Sequence, residues 1–167
     1  MIRIEDIVEK VRRNHPQADL DLLRRAYLFS AREHKGQKRA SGESYLVHPL
    51  EVANILADMR LDAVSVSTGL LHDVVEDTDV TLEDLKLRGF SSDVVEAVRL
   101  LTKTEGGADW NEGDYIEAIA DNAIAREVKL ADLEHNMDVG RMAEITEKDR
   151  TRLNKYLRQW RRLSGTA

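Results

Sequence analysis

The chain has no cysteine. Disulfide and thiolate chemistry are therefore excluded, and any bound metal must be held by His, Asp or Glu. Proline is scarce, with two in 167 residues, and glycine numbers nine, so little interrupts a helix. The polar–apolar alternation of strands is also rare. No apolar run approaches the roughly 18 residues that span a bilayer. The opening residues MIRIEDIVEKVRR carry acids and lack the apolar stretch of a secretion signal. The expectation is a cytoplasmic protein with no membrane partner. An excess of positive charge is missing too. The net charge is −6, whereas general nucleic-acid binding needs a basic footprint. Composition leaves the oligomeric state open.

What remains is 42% hydrophobic and 34% charged, enough for one domain, residues 1–167, around a real core. Helical spacing recurs along it. Ile4, Ile7, Val8 and Val11 form one apolar face, and Leu22, Leu23, Ala26 and Tyr27 another within a helix over about 19–35. His34 to Ser44, HKGQKRASGES, reads as a loop. Pro49 suits the first turn of a helix over about 49–59. The spacing predicts a further helix over about 62–76. Thr81 and Asp84 have capping-box spacing, and Ser91 or Ser92 starts a helix through about Leu101. TEGGADWNEG reads as a loop, followed by helices over about 111–121, 122–138 and 146–163. The fold class expected is all-α, a single helical bundle.

One stretch conflicts with its own surroundings. LLHDVVEDT, Leu70 to Thr78, continues into Asp79 and carries four acids in seven residues beside apolar leucines and valines. Carboxylates crowded at a core edge repel one another and lose hydration, so they call for a positive partner. His48, His72 and Asp73 all stand in or beside apolar sequence. Asp132 does too, in VKLADLEHNMD, with Asn136 one turn later. Two imidazoles and two carboxylates make a candidate four-ligand set that suits Mn²⁺, Fe²⁺ or Zn²⁺ better than Ca²⁺. Glu76 and Asp77 follow His72 and Asp73 by one helical turn. They can then face the adjoining pocket and handle the protons of a water whose pKa the metal lowers from about 15.7 toward about 7. Each residue also has a simpler use: His48 as a hydrogen-bonded core histidine, Asp132 as a cap or a partner for Arg126 or Lys129, HDVVEDT as a solvated helix end.

HKGQKRASGESYLVHPLEVA, GLLHDVVEDT, LTK and VKLADLEHNMD, in that order, resemble the hydrolase domain of RelA/SpoT-type alarmone enzymes. More closely, the chain is similar to the small single-domain alarmone hydrolases of the HD superfamily of metal-dependent phosphohydrolases, over about residues 20–140. The resemblance implies an all-α bundle holding Mn²⁺ through His48, His72, Asp73 and Asp132, with Glu76 and Asp77 activating water. The implied reaction is hydrolysis of the 3′-pyrophosphate of (p)ppGpp to GDP or GTP and pyrophosphate. It further implies nucleotide contacts from Arg39, packed on the guanine, from Ser41 in the same loop, and from Asn136. RLNKY, Arg152 to Tyr156, looks similar to an Arg-x-x-x-Tyr pair that reaches phosphates and sugar in the small hydrolases. These five also have ordinary loop, turn and helix-surface uses.

The chain departs from the family pattern at several places. Ala40 stands where a lysine is usual and Ser44 where a proline is usual. Leu133 and Glu134 replace Arg-Leu, Asp138 replaces an arginine, and residues 104–125 contain no Lys or Arg. Fewer cations suit a tetra- or pentaphosphate less well. Two alternatives therefore stand beside (p)ppGpp hydrolysis: the same chemistry on another nucleotide, such as NADPH or a nucleoside monophosphate, and a non-catalytic nucleotide-binding module.

Overall fold

The computed structural model describes residues 2–39, 42–103, 111–142 and 144–165. Helices α1 (Ile4–Asn14), α2 (Leu20–Glu33), α3 (Val47–Asp58), α4 (Ala63–Leu71) and α5 (Val74–Asp77) form the first half. Helices α6 (Leu82–Leu87), α7 (Ser92–Leu101), α8 (Glu112–Ala120), α9 (Ala123–Asn136) and α10 (Glu147–Ser164) form the second, with a short 3-10 turn at Val139–Arg141. Among the described residues there is no strand, only the isolated antiparallel bridge Lys38–Ser44. The all-α expectation holds. No helix there is long and apolar enough to cross a membrane.

Polar caps set most boundaries. Asp19, Asp62, Ser91, Asn111 and Asn122 each accept a hydrogen bond from a backbone N–H three residues on. Such a cap is worth about 0.5–2 kcal/mol. Thr81 with Asp84, and Thr146 with Asp149, close capping boxes. Pro49 is the third residue of α3, in the first turn, where its missing N–H leaves no helical bond unmade. Most of the predicted loop TEGGADWNEG, including Trp110, lies outside the described residues.

One expectation needs correction. The helix predicted over 62–76 is two helices, α4 and α5, broken at His72 and Asp73. The apolar spacing runs straight through the break and so hides it. The break turns both side chains toward the bundle interior instead of leaving them on successive positions of one helix.

α4 is the axis of the bundle. It packs against α2, α3, α7 and α9, and all but one of its residues are buried. Its sequence, AVSVSTGLL, is short on bulk, which lets neighbouring backbones approach. The closest approach is at Gly69. A Cβ there would stand 2.5 Å from Leu56 Cδ1 and 3.5 Å from Val52 Cγ1, both on α3. The absence of a side chain brings α3 and α4 together, and with them His48 and His72.

Candidate metal centre and active site

Three segments deliver the polar cluster. His48 is the second residue of α3, where its backbone N–H donates to the Tyr45 carbonyl at 3.1 Å. His72 and Asp73 occupy the α4–α5 break. Asp132 lies on α9, with Lys129 and Asn136 on the same side. His48, His72 and Asp132 are buried. Ligand atoms of His48, His72 and Asp73 all lie within 4.8 Å of one another. His48 Nε2 is 3.1 Å from Asp132 Oδ1 and 3.5 Å from Asp73 Oδ2. His72 Nε2 is 3.1 Å from Asp73 Oδ1 and 3.9 Å from Asp132 Oδ1. The four residues predicted as ligands thus converge on one point.

The protonation pattern can be read from partners. His72 Nδ1 lies 2.7 Å from the Gly69 carbonyl oxygen. A carbonyl only accepts, so Nδ1 carries the proton and a neutral ring leaves a lone pair on Nε2. That Nε2 is buried, with Asp73 Oδ1 3.1 Å away but off the line of a well-aligned hydrogen bond. An orphaned buried nitrogen is costly unless something else takes its lone pair. Burial alone would lower the His72 pKa, but the Asp73 carboxylate outweighs it and pushes the ring up to about 9, so with no cation bound a proton occupies Nε2 at neutral pH, and a metal would take that proton's place. Burial would raise Asp73 and Asp132. His72 overrides it for Asp73, Lys129 for Asp132, and both carboxyls sit below their ordinary range. The pocket favours positive charge at its centre. Two nitrogens and two carboxylates match the donor set of a divalent transition metal, and His48, His72 and Asp73 could hold one.

Outer partners hold these groups in place. Lys129 Nζ donates to Asp132 Oδ2 at 2.7 Å. Burial opposes the lysine's charge, but Asp132 holds its pKa above the ordinary value. Asn136 Nδ2 donates to Asp132 Oδ1. The Tyr45 hydroxyl faces Asp73 Oδ2 at 2.9 Å and also Asp77 Oδ2. Its single proton ties a predicted ligand to a predicted catalytic acid. Gln37 Nε2 adds a bond to the Asp77 carbonyl at 2.9 Å. Glu76 is held more loosely, its Oε2 meeting the Lys103 N–H at 3.4 Å.

A cavity of about 620 Å³ opens from the cluster. Glu76 and Asp77 stand at its inner end beside His72, Asp73 and Asp132. Lys103 and, from α10, Lys148, Arg152, Lys155 and Arg158 line the rest. Among the predicted substrate residues, Arg39 Nη2 donates to Asn136 Oδ1 at 3.1 Å. Arg39, Asn136, Arg152 and Tyr156 share a second recess of about 230 Å³ next to the first. Ser41 lies outside the described residues, as does Ala40. The cations Lys103, Lys148, Lys155 and Arg158 were missed, as were the positions of Tyr45 and Gln37. Spacing on α10 carried a signal: 148, 152 and 155 recur at helical intervals on one face. An aromatic in a loop, like Tyr45, leaves no periodic trace.

Residues 26–155 match the HD domain family. The chain belongs to that family. It is 46% identical over 134 residues to a GTP pyrophosphokinase of Myxococcus xanthus, covering 74% of this chain and 18% of that protein. It is 39% identical over 145 residues to the bifunctional (p)ppGpp synthase/hydrolase SpoT of Escherichia coli K12, covering 82% of this chain and 20% of the relative. The chain thus spans about a fifth of the length of these curated relatives. A solved metazoan ortholog of SpoT, a protein that hydrolyzes ppGpp and plays a role in starvation responses, superposes with a TM-score of 0.68. That pair is 28% identical, and the match covers 84% of each chain.

Proposed function

We propose that this HD-family chain is a cytoplasmic, Mn²⁺-dependent hydrolase of (p)ppGpp, releasing pyrophosphate from the ribose 3′ position and leaving GDP or GTP. The observation that carries this reading is the cavity. It joins His72, Asp73 and Asp132 of the cluster, together with Glu76 and Asp77, to a wall of lysines and arginines. Such a two-ended site suits an anionic nucleotide whose reacting phosphorus sits at the acidic end only when a cation is there. The departures at Ala40 and 104–125 argued against a highly phosphorylated ligand. The α10 cations answer that argument, because they offer phosphates a different set of partners.

The four ligands would hold the metal, which supplies charge neutralisation at phosphorus and a lowered water pKa. The chain does the rest. Glu76, loosely held and facing the cavity, takes a proton from the attacking water. Asp77, fixed by Tyr45 and Gln37, accepts a hydrogen bond from the water's remaining O–H, which stays on that oxygen, and so orients it. The water oxygen bonds to the phosphorus carried by O3′, the P–O3′ bond breaks, and O3′ leaves as the ribose hydroxyl. Its proton comes from Glu76, which restores the carboxylate. Arg39 stacks on the purine, with its guanidinium plane oriented by Asn136. Arg152 and Tyr156 meet the nucleotide's phosphates and sugar.

The deciding experiment is turnover of purified, Mn²⁺-loaded protein on (p)ppGpp, NADPH and nucleoside monophosphates. Release of pyrophosphate from (p)ppGpp is expected to dominate. Hydrolysis of one of the others with none of (p)ppGpp would replace the substrate assignment, and binding without turnover of any would replace the enzyme by a nucleotide-binding module.

A further inference from the structure

His135 has no part in the reading above, yet it touches the centre. It is buried on α9, and its Nδ1 lies 2.8 Å from His48 Nδ1. The two rings stack with centroids 4.9 Å apart. Two neutral imidazole nitrogens at that distance share one proton. Its owner decides what His48 presents on its far side. We infer that His135 is a positioning residue for His48: it accepts the His48 Nδ1 proton, leaving His48 Nε2 bare toward Asp73 and Asp132 and able to bind a divalent metal. The inference rests on the proposed role of His48 as a ligand.

The opposite arrangement is equally definite. If His135 carries the shared proton, a neutral His48 carries its own on Nε2. That proton then points at Asp132 Oδ1, 3.1 Å away, and Nε2 cannot hold a cation. Arg141 favours this second arrangement. Its Nη1 lies 2.7 Å from His135 Nε2, and a guanidinium only donates, so it needs that nitrogen bare. His48 and Arg141 therefore compete for the one lone pair of His135. Arg141 has somewhere else to go, because its Nη2 also meets Glu43 Oε2 at 3.2 Å. Metal binding trades the Arg141–His135 bond for the His48–His135 bond.

Three variants of the full chain separate this role from mere space filling. In His135→Asn the side-chain oxygen stands near the former Nδ1 and still accepts. In His135→Leu nothing accepts. In Arg141→Met the competitor is gone. Calorimetry with Mn²⁺ alone should show the Leu variant binding about 10–100-fold more weakly, the usual cost of losing an outer hydrogen-bond partner. The Asn variant should recover most of that loss, and Arg141→Met should bind at least as tightly as the parent. In Zn²⁺-loaded parent protein, ¹⁵N imidazole spectra should place the His48 proton on Nδ1 and the His135 proton on Nε2. An Asn variant as weak as the Leu variant, a Leu variant as tight as the parent, or a proton on His135 Nδ1 in the loaded protein would overturn the inference. Metal binding by the parent with no effect in the Leu variant removes this role alone. No metal binding by the parent removes the proposed function with it.

Discussion

The ligand cluster and the α10 wall face each other across one cavity but are built in opposite ways. Side chains of His48, His72 and Asp132 are 2–8% exposed, and their polar contacts are made within the bundle, both along one helix, as Asp132 with Lys129, and between elements, as His48 with Asp132. Lys103, Arg152 and Lys155 are 46–52% exposed; Lys103 pairs with Glu76, Arg152 with Asp149 and Lys155 with Glu112, and all three cationic groups are open to solvent. Charges of the first kind act at low dielectric and are little screened. Those of the second are screened by salt and cost side-chain entropy to hold. The contrast divides the labour. On the proposed function, the buried end would fix the chemistry, while the exposed end would tune which phosphorylated nucleotide is held and how tightly.

The sharpest break in that comparison comes from Asp73→Ala. It removes one proposed ligand and leaves the Tyr45 hydroxyl with Asp77 alone. Bound Mn²⁺ and turnover should both disappear, measured by metal analysis and pyrophosphate release. If turnover survives, the buried end is not where chemistry occurs. Glu76→Gln comes next. It keeps shape but cannot take a proton, so kcat should fall by about 10²–10⁴-fold, the range for general acid–base groups. Metal content should stay at the parent level. Loss of metal in this variant would move Glu76 from proton transfer into coordination.

These two ends also differed in how far they could be read in advance. The helices were legible because their apolar residues recur at helical spacing and because Thr81 and Ser91 are polar caps placed before such runs. The four proposed ligands were legible because His and Asp within YLVHPL, LLHD and VKLAD contradict their apolar neighbours. The break between α4 and α5 was not, since Leu70, Leu71, Val74 and Val75 keep a helical rhythm across it. Tyr45, Gln37 and His135 were not, because their value lies in contacts spanning 28 to 87 residues. Lys148 and Arg158 looked like ordinary solvated charges until α10 was packed over the cavity.

Gly69→Ala tests whether the buried end depends on backbone approach. The added methyl would meet Leu56 Cδ1 at 2.5 Å, inside a helix pair with no room to part. Overpacking of this kind costs about 1–3 kcal/mol, visible as a lowered chemical-denaturation midpoint. The same residue's carbonyl accepts from His72 Nδ1, so Mn²⁺ affinity should weaken alongside stability. Weakened stability with unchanged metal affinity would mean that His72 is positioned by its own packing and not by Gly69.

The smallest effect belongs to the exposed end. Lys148 lines the cavity and makes no ion pair among the described residues, while Lys155 is partly occupied by Glu112 at 3.4 Å. Neither is buried, so each is expected to contribute only about 0.2–1 kcal/mol to ligand binding, as exposed pairs do. Lys148→Ala should therefore raise KM by no more than about fivefold at fixed kcat, since 1.4 kcal/mol is tenfold, and Lys155→Ala by less, because losing Glu112 as a partner offsets part of the change. Salt supplies the control. At about 0.15 M ionic strength the Debye length is roughly 8 Å, so raising salt should increase the parent's KM more than that of the Lys148→Ala, Lys155→Ala double variant. A drop in kcat in that double variant would show that α10 helps set the reacting geometry, and the division between a chemical end and a recognition end would have to be redrawn along the helix.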